Sequence, residues 1–225
     1  MSNINPTIVT SGLICCLDPY SVKSYPGSGT SVVNLAAASN LGTLVNGPTY
    51  SSGAFVFDGA NDYILTNNTS LGNIPVISHS IWFYPTGAGI IVSEIGQTDP
   101  YSGWRDSNIE INSSGVISIA TWNGSSLSNR VNSSAQPFNT WYNLTMTYSG
   151  TVLTAYINGV SIGTSTFTRG VPTNQFYAIG ASNITNMGTS TNGIGKAGMF
   201  LVYNRALSAA EVLQNYNALK GRYGL

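Results

Sequence analysis

The sequence predicts an all-β protein: a two-sheet antiparallel sandwich with one short helix near its C-terminus. Short β-branched and aromatic runs recur along the 225 residues, and glycine, with 25 copies, separates them together with polar turn residues. A chain of this length buries a full hydrophobic core without disulfide or metal support. We therefore predict one domain at residues 13–225, without an internal repeat, after an extended N-terminal arm at residues 1–12.

The low charge of the chain excludes several classes of partner. Only 7% of the residues are charged, and 8 basic residues balance 8 acidic ones. Such a chain has no excess of positive charge for nucleic acid or for an anionic membrane surface. No apolar run approaches the roughly 20 residues that span a bilayer. We expect neither nucleic acid nor membrane as a partner.

The N-terminal arm is polar, contains Pro6 and has no hydrophobic period, which favours an extended segment. Its first residues lack the pattern of a secretory signal peptide, so synthesis in a cytosol is expected. Strands are predicted from Leu13 onward. The neighbours Cys15 and Cys16 would point to opposite faces of the first strand, so we expect two free, buried thiols.

Further strands follow in the first half of the domain. Gly53–Asp58 places Phe55 and Phe57 on one face, and Tyr63–Thr66 follows a turn rich in glycine, asparagine and aspartate. These two runs are expected to form a hairpin. Other runs of strand length are Ser78–Tyr84, Ile90–Val92 and Val116–Ala120.

The clearest local pattern lies between Trp141 and Thr164. Apolar and polar residues alternate from Trp141 to Tyr148, and two more strand-like runs follow. Asn158-Gly159 between those runs suits a two-residue hairpin turn with positive φ. The segment is therefore predicted to be a three-stranded antiparallel meander.

One helix is predicted near the C-terminus. Ser208 and Glu211 have the spacing of a capping box, and Gly221 is placed to end the helix. The expected apolar face consists of Ala210, Val212, Leu213 and Tyr216.

A series of sequence blocks in one order carries a resemblance to a known family. They are Ser24–Thr30, Gly42–Tyr50, Phe55–Ile64, Ile81–Pro85, Trp141–Leu144, Ala155–Gly159 and Val202–Val212. Together they resemble the laminin-G-like members of the concanavalin A-like lectin/glucanase superfamily. The resemblance implies a jelly-roll sandwich. The family usually has a carboxylate before the final Val/Ile-Tyr-Asn, whereas residues 196–201 have none, so no role of that carboxylate carries over.

Two of these blocks, Tyr25–Gly29 and Leu44–Tyr50, are most similar to those of laminin-G-like domains in structural proteins of tailed bacteriophages. The resemblance implies a non-enzymatic virion protein, synthesised in the host cytoplasm, that serves as a capsid decoration, fibre or tail-associated subunit. Other virion proteins and further copies of the chain, in a homo-oligomer, are the expected partners. The arm at residues 1–12 would anchor the subunit. A neutral surface would limit repulsion between dense copies.

Catalysis is not expected. Some members of the superfamily cut glucans with a Glu-x-Asp-x-Glu strand, and this chain has no such triplet. The nearest acidic group is Asp99, Asp106 and Glu110, beside Arg105, which favours ionised carboxylates in a solvated or ion-paired loop. The single histidine, His79, lies in a predicted strand without a nucleophile nearby in a known pattern, so it is interpreted as a sheet residue.

The alternative function is a carbohydrate-binding adhesin for host or environmental polysaccharide. Sugar sites combine exposed aromatic rings with amide, carboxylate or guanidinium groups. Two segments supply this mixture: Tyr101, Trp104, Arg105 and Asp106 in one, and Trp122 and Asn123 in the other. The same aromatics would also serve to cover a sandwich edge or to pack against a neighbouring subunit. Trp82 and Trp141 fall inside patterned strands and are interpreted as core or sheet-surface residues.

Calcium (Ca²⁺) is the one cofactor that the sequence leaves open, and none is required. Asp58, Asn61 and Asp62 gather oxygen-bearing side chains in one turn, and Ca²⁺ accepts such ligands. Asp18 is a second candidate through the resemblance to calcium-using laminin-G-like domains. A plain turn, in which Asp and Asn side chains bond their own backbone, explains the same residues.

Overall fold

The computed structural model describes residues 7–37, 41–66, 74–96, 99–100, 105–121, 129–170, 176–182 and 192–225, without the side chains of Leu41 and of residues 105–107. In chain order the strands are β1 (Leu13–Leu17), β2 (Ser31–Val33), β3 (Leu41–Val45), β4 (Thr49–Ser51), β5 (Ala54–Asp58), β6 (Tyr63–Thr66), β7 (Ile77–Pro85), β8 (Gly89–Ile95), β9 (Arg105–Ile111), β10 (Val116–Ile119), β11 (Val131–Ala135), β12 (Tyr142–Tyr148), β13 (Val152–Ile157), β14 (Val160–Thr166), β15 (Phe176–Ile179) and β16 (Ile194–Tyr203).

These strands form two antiparallel sheets of eight strands each. Sheet A has the order β14-β13-β12-β7-β16-β5-β4, with β1 paired to β16, and sheet B has the order β11-β10-β9-β8-β15-β6-β3-β2. The prediction of an all-β, two-sheet antiparallel sandwich with one short C-terminal helix is confirmed. No helix in the described part of the chain is both long and apolar enough to cross a bilayer.

The main core lies between the sheets. Alternate residues of facing strands contribute to it, and Phe55, Phe57, Phe83 and Phe200 are among the largest side chains that are fully buried there. A second apolar cluster covers the outer face of sheet A, where Trp82 packs beneath the C-terminal segment. Sheet A is therefore buried on both faces over this part of its area.

The two cysteines confirm the alternation along β1. Cys15 belongs to the core between the sheets and Cys16 to the outer cluster, and both thiols are free and buried. Burial raises the pKa of both thiols, that of Cys16 to about 12. Because the thiolate is the reactive form, neither thiol is a nucleophile at neutral pH.

The predicted hairpin of Gly53–Asp58 and Tyr63–Thr66 is wrong. β5 pairs with β4 and β16 in sheet A, whereas β6 pairs with β3 and β15 in sheet B. The turn between them carries the chain from one sheet to the other, and the Asp58 N–H donates to Asp62 Oδ2 across it at 3.3 Å. All four residues of β6 are buried, which suits a strand covered on both faces better than a solvated hairpin.

The predicted meander is confirmed. β12 pairs with β13, and β13 pairs with β14, all antiparallel. The turn residues Asn158 and Gly159 have φ values of 53° and 79°, as a type I′ turn requires. The Asn158 side chain also accepts from the Asn143 N–H at 2.9 Å, which ties the turn back to β12.

The helix α1 spans Ala209–Leu219, and its capping box of Ser208 and Glu211 is confirmed. Two details of the prediction are wrong. Ala210 and Leu213 are exposed, whereas Val212 is buried as predicted, together with Asn215 and Leu219. The chain continues past Gly221 in a 3₁₀ turn, Lys220–Tyr223, and Gly224 adopts the left-handed conformation. The physical reason is a tertiary contact, since Tyr223 stacks on Trp82 with ring centroids 4.2 Å apart.

Residues 7–12, the described part of the predicted arm, lie along α1. The Val9 side chain is buried, and the Val9 N–H donates to Asn215 Oδ1 at 2.8 Å. The Tyr203 hydroxyl donates to the Val9 carbonyl at 3.0 Å, and Gln214 Nε2 donates to the Thr7 carbonyl at 2.8 Å. This segment therefore packs on the domain, and the boundary at residue 12 stays a prediction.

Candidate functional site

A buried ion pair lies between the sheets at one end of the sandwich. Arg169 follows β14, and its Nη2 atom is 2.8 Å from Oε1 of Glu94 on β8, with both side chains almost fully shielded from solvent. Buried charges of this kind require a partner, because removing an ion from water costs several kcal/mol. The pair therefore joins two segments that are 75 positions apart in the sequence.

Further hydrogen bonds complete the network around this pair. The Tyr177 hydroxyl on β15 donates to Glu94 Oε1 at 3.3 Å, and the Thr121 hydroxyl donates to Glu94 Oε2 at 3.2 Å. Arg169 Nε donates to Thr121 Oγ1 at 3.0 Å, and Arg169 Nη1 donates to the Ile74 carbonyl at 2.8 Å. One guanidinium thus contacts residues near the ends of β8 and β10 and a residue three positions before β7.

The electrostatics keep both members of the pair charged. Burial alone raises the pKa of the Glu94 carboxyl, but the charge of Arg169 and hydrogen bonds from Asn108 and Arg169 hold that pKa below its ordinary value. Burial alone lowers the pKa of Arg169, and the Glu94 carboxylate more than reverses this effect. The side chains are therefore an ionised carboxylate and a guanidinium cation at neutral pH.

His79 lies beside this network, on β7 in the core, so the prediction of a sheet residue is confirmed. Its ring packs against Tyr177 and Phe200, with centroid distances of 5.6 and 6.4 Å. Neither ring nitrogen has a hydrogen-bond partner among the described residues. Burial lowers the pKa of His79 to about 4, so the imidazole is neutral at pH 7.

The network lies at the base of the segments that contain the predicted sugar-binding residues. Glu94 is next to the last residue of β8, and residues 96–104 follow this strand. Thr121 immediately precedes Trp122. Tyr101, Trp104, Trp122 and Asn123 lie outside the described residues. Arg105 and Asp106 begin β9, where their backbone pairs with Ile95 and Glu94, and their side chains are outside the described part.

The acidic group Asp99, Asp106 and Glu110 is not one solvated loop, as the sequence had suggested. Asp106 and Glu110 both lie in β9, and the Glu110 side chain is buried. Asp99 is exposed in the short described segment before β9. Two register irregularities separate the partners of Asp106 and Glu110 on β8, so simple strand alternation does not relate their positions.

The candidate calcium ligands make contacts that support the turn interpretation. Asp58 Oδ1 accepts from the Ala60 N–H at 2.7 Å, and the Asn61 carbonyl accepts from Asn46 Nδ2 at 2.9 Å. Both carboxylate oxygens of Asp18 accept from Arg222 Nη1 at 2.9 Å. Within the described ranges, no three His, Cys, Asp or Glu side chains are grouped as metal ligands. Calcium binding stays a prediction.

Sequence reasoning missed both Glu94 and Arg169. A signal for Glu94 was present, because it is the one charged residue in the run Gly89–Ile95, all of which is buried. A charge inside such a strand must be paired. No local pattern indicated that the partner was Arg169, which lies in an irregular segment far along the chain.

The fold and this site together define a lectin-like jelly-roll sandwich with a polar, buried network between its sheets. The chain matches the laminin-G-like family model described as the concanavalin A-like lectin/glucanases superfamily over residues 58–213. This match covers more than half of the chain, which therefore belongs to that family. No curated protein sequence matches the chain.

Solved structures with the same fold include larger proteins. Trypanosoma rangeli sialidase aligns with a TM-score of 0.68 and 14% identity, over 94% of this chain and 33% of the sialidase chain. A mutant of that sialidase displaying trans-sialidase activity aligns with a TM-score of 0.69 and 12% identity, over 97% of this chain and 35% of the mutant chain. The third structure is of botulinum neurotoxin type C, whose cell entry depends upon interaction with two ganglioside molecules. It aligns with a TM-score of 0.64 and 16% identity, over 94% of this chain and 52% of the neurotoxin chain. This chain spans a third to a half of these proteins, and such identities show the fold alone.

Proposed function

We propose that this chain is a non-enzymatic structural protein of a bacteriophage virion, a capsid decoration, fibre or tail-associated subunit, and that it binds polysaccharide through the loops at the Glu94 end. The observation that carries the carbohydrate part is the Glu94–Arg169 network. It fixes the ends of the strands from which the segments with Trp104 and Trp122 start.

A rigid scaffold under variable loops is the usual arrangement for recognition, because ordered loop ends reduce the entropy lost on binding. The neighbouring structures support the ligand class. One neighbour is a sialidase solved in complex with sialic acid, and another is a neurotoxin whose cell entry depends upon interaction with two ganglioside molecules. The predicted aromatics of residues 101–104 and 122–123 supply the stacking surfaces that sugars need.

Three of the described carboxylates are in a state that supports a non-enzymatic role, whereas burial raises the pKa of Asp62. Asp18, Glu94 and Glu211 are all ion-paired with arginine. For Glu211, the hydrogen bonds from Arg205 come first among the causes that lower its pKa to about 2. A glycosidase needs a carboxyl group that stays protonated near the working pH, and arginine pairing has the opposite effect.

The virion part of the proposal is supported by the sequence blocks at Tyr25–Gly29 and Leu44–Tyr50, which resemble those of tailed-bacteriophage proteins. The balance of 8 basic and 8 acidic residues suits dense packing of copies on a particle. Residues 7–12 contact α1, and we assign the anchoring role of the arm, toward other virion proteins or further copies of the chain, to residues 1–6.

Glycan-array binding tests the carbohydrate part. We expect the wild-type protein to bind one class of polysaccharide, and Trp104→Ala and Trp122→Ala to weaken this binding by about tenfold or more, since each removes a stacking surface. Leu213→Ala is the matched control, because Leu213 is an exposed apolar residue on α1. Arrays with and without a chelator measure any contribution of calcium.

Two results would contradict this part of the proposal. If wild type and both tryptophan variants bind equally well, Trp104 and Trp122 do not take part in polysaccharide recognition. Release of reducing ends from a bound polysaccharide, lost in Asp106→Asn or Glu110→Gln, makes the protein an enzyme.

Occupancy on purified particles tests the virion part. Deleting residues 1–6 leaves Val9 and its contacts with Asn215 in place, so the domain should keep its melting temperature. We expect the shortened subunit to be largely missing from particles, as measured by quantitative mass spectrometry against the major capsid protein. Undiminished occupancy rejects the anchoring role of the arm.

A further inference from the structure

An exposed tyrosine stands on a rigid support near the edge of sheet A, apart from the Glu94 end. Tyr20 follows β1, and 59% of the residue is exposed. Tyr50 on the edge strand β4 is 36% exposed. We call Tyr20, Tyr50 and the residues that support them, namely Asp18, Gly53 and Arg222, the Tyr20 platform.

Two contacts fix the Tyr20 ring. The Arg222 guanidinium carbon lies 4.8 Å from the ring centroid, a cation–π contact. Gly53 lies so close to the ring that a Cβ atom at that position would be 2.3 Å from Tyr20 Cδ2. Gly53 also has a φ of 78°. Glycine is therefore required here for the ring as well as for the backbone.

Arg222 is itself held in place. Its Nη1 atom donates to both carboxylate oxygens of Asp18 at 2.9 Å, and Asp18 Oδ1 also accepts from the Tyr20 N–H at 3.1 Å. Asp18 is buried, whereas the Arg222 side chain is partly exposed. The positive charge under the ring is thus balanced by a fixed carboxylate, which leaves the support of the platform neutral.

The second ring is fixed in a similar way. The Tyr50 hydroxyl donates to the Pro19 carbonyl at 3.0 Å, just before Tyr20. The Tyr50 ring packs on Tyr25 with centroids 5.1 Å apart. Thr49, Ser51 and Ser52, the neighbours of Tyr50 in the sequence, are exposed.

The apolar face of a pyranose stacks best on an aromatic ring that is both exposed and held in one orientation. Binding then costs little side-chain entropy, because the ring is already held in place. We propose that the Tyr20 platform is a second carbohydrate subsite, which stacks a neutral pyranose ring on Tyr20. The ligand is neutral because the platform pairs its own charges. The class of ligand in this inference rests on the proposed function, whereas the location of the subsite does not.

Titration with neutral hexasaccharides tests this proposal. Cellohexaose, maltohexaose and mannohexaose are the probes, followed by calorimetry and by saturation-transfer NMR. We expect at least one of them to bind the full chain, and Tyr20→Ala to weaken that binding by about tenfold. Tyr20→Phe keeps the ring and is expected to bind like wild type. Gly53→Ala keeps Tyr20 but displaces its ring, and is expected to weaken binding as well.

The controls separate this site from the loops and from other ligands. Lys23→Met removes an exposed cation three positions from Tyr20, and binding should not change if the sugar is neutral. Trp104→Ala and Trp122→Ala should keep the Tyr20-dependent binding, whether or not the proposed site at Trp104 and Trp122 exists. The proposal is overturned if no hexasaccharide binds, if Tyr20→Ala with an unchanged melting temperature binds like wild type, or if Lys23→Met abolishes binding.

Discussion

Replacing Arg169 by methionine is expected to lower the free energy of unfolding by about 3–5 kcal/mol, because it leaves the Glu94 carboxylate buried without its counter-charge. The variant also loses the hydrogen bonds to Thr121 and to the Ile74 carbonyl. Urea unfolding near pH 7, followed by tryptophan fluorescence, measures this difference. The loss should shrink on acidification, since an unpaired buried carboxyl takes up a proton more readily.

Two controls make this prediction specific. The double variant Glu94→Gln with Arg169→Met removes both charges and is expected to recover much of the lost stability, because no uncompensated ion remains. Lys23→Met removes an exposed cation and should change the free energy of unfolding by less than about 0.5 kcal/mol. If Arg169→Met is no more destabilising than Lys23→Met, the pair does not hold this end of the sandwich together.

Acidification should destabilise the protein well above the range in which carboxylates titrate. His79 is the single histidine of the chain, and burial lowers its pKa from 6.5 to about 4. Between these values the unfolded chain binds a proton on His79 and the folded chain does not. The stability that the neutral imidazole contributes is complete above pH 6.5 and is lost as the pH falls toward 4. The slope approaches about 1.4 kcal/mol per pH unit, with a total of about 3 kcal/mol.

The groups that face His79 define the window for this measurement. Tyr177 and Phe200 pack on its ring, and the charges of Glu94 and Arg169 act on it from β8 and from the segment after β14. The pKa of Glu94 is lowered, so its own contribution is lost only below its ordinary value of 4.5. Burial also raises the pKa of Asp62, so His79 is reported by the part of the midpoint change between about pH 7 and about pH 5 that disappears in a variant without the imidazole.

A variant without the imidazole serves as the control. His79→Phe places an apolar ring beside Tyr177 and Phe200 and should have a urea midpoint that hardly changes over this window. His79→Gln is the second choice if the larger ring is not accommodated. A wild-type midpoint that stays constant from neutral pH to about pH 5 would show that His79 keeps its ordinary pKa and is not buried as the structure has it.

Much of the fold followed from short-range pattern. The meander and its Asn158-Gly159 turn, the capping box at Ser208 and the opposite orientation of Cys15 and Cys16 all depend on residues a few positions apart. Backbone sterics and hydrogen bonding decide such features locally, so a single sequence contains the information. The strand alternation likewise determined the all-β class.

The errors share one cause. The alternation in β5 and β6 is compatible with a hairpin and with a crossing between sheets, and only the partners β16 and β15 distinguish the two arrangements. Leu213 was predicted to face the core, but α1 rotates so that Asn215 is buried, where it bonds Val9 and Tyr203. The partners that decide these arrangements, β16 for β5, β15 for β6 and Val9 for Asn215, all lie more than 100 residues away in the sequence.

The candidate sites divide in the same way. The sequence by itself determined the fold class, the local turns and caps, and the aromatic segments that a sugar-binding loop would use. Only the tertiary structure decided that Glu94 meets Arg169 and that Arg222, near the C-terminus, supports Tyr20 near the N-terminus. The physical reason is that a buried charge or a supported ring depends on which distant side chain shares its space, and hydrophobic periodicity carries no information about that partner.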